Sequence, residues 1–332
     1  MKLKRTLYLG YYFKQMKWDL LKKFLTYAAD KTGKSKTNLL WMSIMDVYRY
    51  NISILEYFQF GFYEKTPAEK EKWAGTGTMY EFQLKANPPK ERVILDDKGM
   101  FYKNYREYIK HKVFTLEELQ ANRSALDDVY AENDKLVLKE AHGKVGAGVE
   151  IINTEELSKE NILPYMQKHH FGLLETFVIQ HPAINELSPS AVNTIRIITQ
   201  IRKDGTYEIL GCRMRISVNS PVDNMGAGNL VAPVDQKTGK INGKAVYADI
   251  TKPPVEKHPV TAVPIVGFQV PFWNEILDMV KEASLKHPQN RSIGWDVVVT
   301  PNGPEFIEGN HDWCKLVWQL PVHKGLKHKL DE

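Results

Sequence analysis

At 332 residues, 43% hydrophobic and 26% charged, the chain has an ordinary globular composition and the length for two or three packed subdomains. A formal charge of +5 without a long Arg/Lys tract argues against nucleic acid as a partner. Its two cysteines, Cys212 and Cys314, exclude a disulfide framework and a cysteine zinc site, and they suit a reducing compartment.

Residues 1–90 read as helical, with apolar residues recurring every three or four positions among many lysines. The first 25 positions hold seven basic residues against one acid. A solvated helix face is the default reading of that bias, and docking on an anionic membrane is the alternative. The N-terminus lacks the uninterrupted apolar stretch of a signal peptide. The most apolar window, NLLWMSIMDVYRYNISILEYFQFGF, is broken by Asp46, Arg49 and Glu56. The expectation is a soluble, cytoplasmic protein, with the inner face of the membrane as a secondary location. Ala-Asn-Pro-Pro at 86–89 predicts a boundary.

Helical stretches follow in DDKGMFYKNYREYIK and TLEELQANRSALDDVYAEN. From Lys135 the texture changes to a strand KLVLK, a loop HGKVGAG and a strand VEII. Asn153 is then expected to cap a helix with Glu156 in its first turn. FGLLETFVIQH reads as a strand running to Pro182. Beyond residue 190 the pattern is β-rich, with a Lys-Asp-Gly hairpin turn at 203–205 and a second Gly turn in VAPVDQKTGKI. VPFWNEILDMVKEASLKHP has helical spacing, and GWDVVVTPNGPEFIEGN forms a last hairpin. The class is α+β with antiparallel sheets and a helical N-terminal third.

Two stretches carry chemistry. HGKVGAG supplies glycines whose amides can approach phosphate oxygens, with Lys139 ending the strand before it and Lys144 inside it. It matches neither a GxxxxGK[ST] loop nor a GxGxxG turn, and a flexible hairpin is the competing reading. In the last hairpin, a three-residue loop at Pro301-Asn302-Gly303 would pair Thr300 with Pro304, Val298 with Phe306 and Asp296 with Glu308. Glu308 and Asn310 would share that face. Opposed carboxylates repel, so a hard cation with oxygen ligands is the natural occupant, Mg²⁺ before zinc. The alternative is that the acids face solvent or pair with lysines. A two-residue turn would put the two acids on opposite faces.

The order of these pieces resembles the ATP-grasp superfamily, and more closely its sugar-transfer associated family. The strings that carry the resemblance are DDKGMFYKNYREYI, HPAINELSPSAVNTIRIIT, DNMGAGN and IGWDVVVTPNGPEFIEGN, with FQFGFYEKTPAEKEKW upstream. The resemblance implies an ATP-grasp fold, two α+β subdomains clasping ATP, behind a helical N-terminal region. It divides the chain into 1–90, a lid and nucleotide-binding subdomain at 91–182, and a core with the magnesium site at 183–332. It implies ATP and Mg²⁺ as cofactors, with Asp296, Glu308 and Asn310 on the metal. Lys98 and Lys139 would contact phosphate under the flap of Gly143, Lys144, Gly146 and Gly148. Glu175, Phe177 and Val178 would border adenine, and Gln180 or His181 would take the ribose. Gly294 stands where amino-acid ligases often carry arginine, so the oxyanion arginine is sought among Arg196, Arg213 and Arg215.

The reaction so implied joins a carboxylate to an amine through an acylphosphate. The partners would be a small-molecule or glycan carboxylate and an amine such as an amino acid, in cell-surface polysaccharide synthesis. A kinase acting on a sugar hydroxyl and a non-catalytic module of glycan machinery are the rival readings. Trp295 and Trp313 are expected as packing anchors, and His142 and His311 as structural histidines beside the site. Asp223 and Asn224 are either substrate-orienting groups or a loop cap.

Overall fold

The computed structural model describes residues 2–141 and 148–330; His142, Gly143, Lys144 and Gly146 lie outside the described residues. The N-terminal region comprises α1 (Lys2–Lys14), α2 (Trp18–Thr32), α3 (Lys36–Tyr50), α4 (Ile54–Gln59), α5 (Pro67–Lys70) and α6 (Thr76–Ala86). Local chemistry sets several of their ends. The Ser35 hydroxyl accepts from Asn38 N at the start of α3, and Asn51 closes that helix in the left-handed region at φ 56°. Ser53 and Glu56 form a reciprocal capping box on α4. The Glu56 carboxylate also accepts from Thr76 N (2.9 Å) and Oγ1 (2.7 Å), and Lys315 Nζ lies 3.0 Å away. One buried acid thus ties three segments of the chain together.

Two antiparallel sheets follow. The strands are β1 (Val113–Thr115), β2 (Lys135–Lys139), β3 (Val149–Asn153), β4 (Leu173–Thr176), β5 (Ile195–Ile201), β6 (Tyr207–Ile216), β7 (Leu230–Val234), β8 (Ser292–Thr300) and β9 (Gly303–Asn310). The smaller sheet has the order β1-β4-β2-β3 and the larger β7-β6-β5-β8-β9. In the larger sheet, alternation sends Ile195, Ile197, Cys212, Met214, Trp295 and Val297 into the main core against the helix Trp273–Lys286. The opposite face carries Arg196, Arg213, Arg215, Asp296 and Glu308, brought alongside one another by the register Arg196↔Arg213, Arg196↔Asp296 and Asp296↔Glu308.

The N-terminal helices share a core with the larger sheet: Phe24, Leu39, Tyr57 and Phe58 pack in one cluster with Val231, Val246 and Val317. The proline-rich stretch at 86–89 is no loose linker either. Asn87 is fully buried, donating to Ser292 O (2.8 Å) and His311 O (3.2 Å) and accepting from Ser292 N (3.2 Å). It pins the start of β8 to the residue after β9.

Four local expectations change. The stretch after Asn153 is a turn, and the helix begins only at Ile162. TLEELQANRSALDDVYAEN divides into helices Leu116–Ala121 and Ala125–Glu132. The strand in FGLLETFVIQH stops at Thr176; residues 177–181 form a loop, and Pro182 opens a helix at its first position. The last hairpin has a two-residue loop, Pro301-Asn302, with Thr300 opposite Gly303 at φ 100°. Val298 therefore faces Glu305, not Phe306. A β-bulge at Ile307 then adds one residue to β9 and restores Asp296 opposite Glu308.

Candidate functional site

Asp296 is 2% exposed and held on two sides. Arg196 donates through Nε to Oδ1 (2.5 Å) and through Nη2 to Oδ2 (2.7 Å), and Arg215 Nη1 donates to Oδ2 (2.7 Å). Arg215 Nη2 reaches Asp223 Oδ1 (2.6 Å), and the other Asp223 oxygen accepts from Thr194 N (2.8 Å) and Oγ1 (2.6 Å). Asp223 thus positions an arginine, while Asn224 caps its own loop by accepting from Gly226 N. Burial alone would raise the Asp296 carboxyl, but the two guanidinium groups outweigh it and hold it well below the carboxylate range.

Glu308 has no such clamp. Its Oε1 accepts from Asn310 Nδ2 (3.0 Å), and burial together with the Asp296 charge pushes its carboxyl up. Two facing acids with one left short of positive charge fit a divalent cation. Among the described residues no cluster of three or more His, Cys, Asp or Glu could hold a metal. Two carboxylates and an amide are a sparse oxygen set, suited to Mg²⁺ that keeps part of its shell for phosphate and water.

The smaller sheet brings a second cluster. Lys139 Nζ lies 2.5 Å from Glu175 Oε2, and Tyr102 Oη donates to Glu175 Oε1 at 2.6 Å. His111 bridges this group to the larger sheet: its Nε2 is 3.4 Å from Glu175 Oε2 and its Nδ1 is 2.7 Å from Glu305 Oε2. Glu305 also accepts from the Lys110 and His111 amides. Burial opposes ionisation of Glu175, yet Lys139 and His111 bring it down to about 2. The same two acids overcome burial to raise His111. Tyr102 Oη lies 3.5 Å from the carbonyl of Ile307, the bulge residue beside Glu308. Lys98, at the first position of the helix Lys98–Asn104, is shifted down by burial and by the Lys139 charge, with Glu308 opposing.

The structure sorts the other expected residues. Glu175 lies in β4 with its backbone opposite Val113 and Val137, and its side chain joins the cluster of Lys139, Tyr102 and His111. Among the described residues, the main-chain groups of Phe177, Val178 and Ile179 make no hydrogen bond. That leaves a polar edge for a planar ligand. Gln180 is engaged inside the protein, donating to Asn185 Oδ1 and Ser188 O and accepting from Asn193. His181 Nδ1 accepts from Ala183 N at the start of its helix, which leaves Nε2 as the ring nitrogen for a ribose hydroxyl. Gly148 closes the loop at φ 70° and accepts from Glu140 N.

Arg213 shares a sheet face with Arg215 but turns to donate to the carbonyls of Trp318 and Cys212. Burial without a carboxylate partner lowers it to about 10. Gly294 is glycine because a Cβ there would lie 2.6 Å from Trp313 Cβ and 3.2 Å from Arg196 Cδ. The stem of Arg196 fills the space. Trp295 stacks on Phe306 at 4.7 Å and Trp313 donates to Ser292 Oγ, as packing anchors do. His311 pairs with Asp96. Sequence reasoning missed His111, Tyr102 and Glu305. Alternation along KHKVF and GPEFIEG could have flagged His111 and Glu305, but not their meeting.

No curated protein matches the sequence. Among solved structures, the chain is similar to biotin carboxylase from Campylobacter jejuni: TM-score 0.44, 11% identity, covering 72% of this chain and 48% of that one. It is also similar to D-alanyl-alanine synthetase A from Vibrio cholerae (0.41, 12%, 71% and 62%) and N5-carboxyaminoimidazole synthetase from Staphylococcus aureus (0.43, 8%, 70% and 52%). The chain thus spans about half to three-fifths of the length of these structures. The family model for sugar-transfer associated ATP-grasp matches residues 78–332, and with two antiparallel sheets behind a helical N-terminal region the chain belongs to that family.

Proposed function

We propose that the protein is an ATP-dependent ligase that joins a carboxylate to an amine through an acylphosphate. The observation that carries this reading is the facing of Asp296, Glu308 and Asn310 beside Lys98 and Lys139. Lys98, Lys139, Arg196 and Arg215 formally balance Asp223, Glu175, Asp296 and Glu308, so polyanionic ATP would have to bring its own divalent cation. Asp296, Glu308 and Asn310 would hold Mg²⁺, which supplies charge neutralisation at the β- and γ-phosphates. The free main-chain edge at Phe177–Ile179 would take adenine.

In the first step an oxygen of the substrate carboxylate attacks the γ-phosphorus, the bond to the β-phosphate oxygen breaks, and ADP leaves. Lys98 and Lys139 would hold the spreading phosphoryl charge. In the second step the amine nitrogen attacks the acyl carbon, the acyl C–O bond to phosphate breaks, and the departing phosphate takes up the proton that the amine loses. Arg196 and Arg215 each have N–H groups beyond those on Asp296 and Asp223, and these would stabilise the oxyanion. No side-chain nucleophile is needed. The family's association with sugar transfer is consistent with a sugar as one substrate; the reading takes it as a carboxylated sugar joined to an amino acid, in polysaccharide synthesis at the cell surface.

The test is a screen of amino acids against uronic-acid sugars, reading ADP and free phosphate together. Amine-dependent release of both supports the ligase. ADP without phosphate converts the reading to a kinase, and ATP binding with no turnover on any pair overturns it. Asp296→Asn should abolish the release.

A further inference from the structure

The first helices carry a surface that the ATP site does not use. At 100° per residue, Lys4, Leu7, Tyr11 and Lys14 fall on one face of α1. Leu7 is 69% and Tyr11 59% exposed, whereas Tyr12 turns inward into the shared core. α6 lies alongside: the Tyr8 and Tyr80 rings meet edge to face at 6.1 Å, and Lys4 pairs with Glu81 at 3.0 Å. On α6, Tyr80 and Leu84, one turn apart, are also exposed. Trp18, at the start of α2, is 54% exposed with its ring 6.2 Å from Phe13. Exposed aromatic and aliphatic groups therefore continue from α6 across α1 to α2.

The rim of this face is basic. Lys14, Lys17 and Lys22 are exposed and have no carboxylate partner among the described residues. We propose that the face formed by α1, α6 and the start of α2 docks the protein on an anionic lipid surface. Tyr and Trp favour the headgroup boundary, leucine enters the acyl edge, and lysines reach anionic headgroups. A second copy is the less favourable occupant, because a two-fold contact through this face would bring two basic rims together. No helix among the described residues is long and apolar enough to cross a membrane, so docking would be peripheral. It does not depend on the ligase reading.

The experiment is co-sedimentation of the full chain with vesicles of phosphatidylcholine alone or mixed with phosphatidylglycerol, at low and raised salt. Binding to the mixed vesicles only, weakening as salt rises, is expected. The double variants Leu7→Ser/Tyr11→Ser and Lys14→Glu/Lys17→Glu should each weaken it at least ~10-fold with an unchanged melting temperature. If one double variant lowers the melting temperature, the single exposed change Lys17→Glu replaces it. Equal binding to both vesicle types, no binding to either, or variants that bind like the parent would overturn the proposal. A dimer by light scattering that Leu7→Ser/Tyr11→Ser dissolves would assign the face to a second copy instead.

Discussion

Asp296 in the larger sheet and Glu175 in the smaller are both buried carboxylates held by cations, but the cations differ in kind. Asp296 sits between two arginines, which stay charged at any pH the protein would meet. Glu175 rests on a lysine and a histidine, and that histidine reaches across to Glu305 in the other sheet. The first cluster fixes a charge in place. The second joins two sheets through groups whose protonation can change. A fixed carboxylate suits one that must hold its position whatever ligand arrives, while a titratable bridge suits a junction that adjusts.

Arg196→Ala should have the largest effect. It leaves Asp296 buried with Arg215 alone, and breaking a buried pair costs about 3–5 kcal/mol. Urea unfolding measures this, and a loss under 1 kcal/mol would mean that the clamp contributes little. Glu175→Gln tests the titratable cluster. Its carboxyl lies at about 2 in the folded chain against an ordinary 4.5, so its contribution, on the order of 3 kcal/mol, is present above pH 4.5. That contribution is lost as pH falls through about 2, so the gap between parent and variant should close over that window. A gap that stayed constant across it would put the cause elsewhere.

Gly294→Ala should cost about 1–3 kcal/mol by crowding Trp313 and the Arg196 stem. It should also weaken binding of the magnesium–nucleotide complex, because a displaced Arg196 would no longer hold Asp296 in place; calorimetry with MgADP reads this. The smallest effect has the opposite sign. Glu308→Gln removes one of two facing acids, so the ligand-free protein should gain up to about 1 kcal/mol while ATP turnover is lost. A variant less stable than the parent would show that Glu308 is satisfied without a cation.

Much of the last hairpin is legible in its residues alone. Period-two alternation puts Glu308 and Asn310 on one face, and the turn lies where Pro301-Asn302-Gly303 suggests. The facing of Asp296 and Glu308 holds for a different reason, however: the loop is one residue shorter than expected, and the bulge at Ile307 makes up the difference. Alternation likewise puts Arg213 and Arg215 together, but it cannot say where a long side chain ends. Arg215 finds two carboxylates and Arg213 finds the Trp318 carbonyl.

Local periodicity and turn chemistry, which a few neighbouring residues specify, are enough for the α+β class and the helical N-terminal third. They also suffice for the order of lysine, glycine loop and acids, and for which residues alternate onto a common face. The register at Asp296, the separate fates of three arginines, the engagement of Gln180 and the bridge through His111 are settled only when the chain has folded. Each depends on which strand lies beside which, and on what a side chain several ångströms long meets when it arrives.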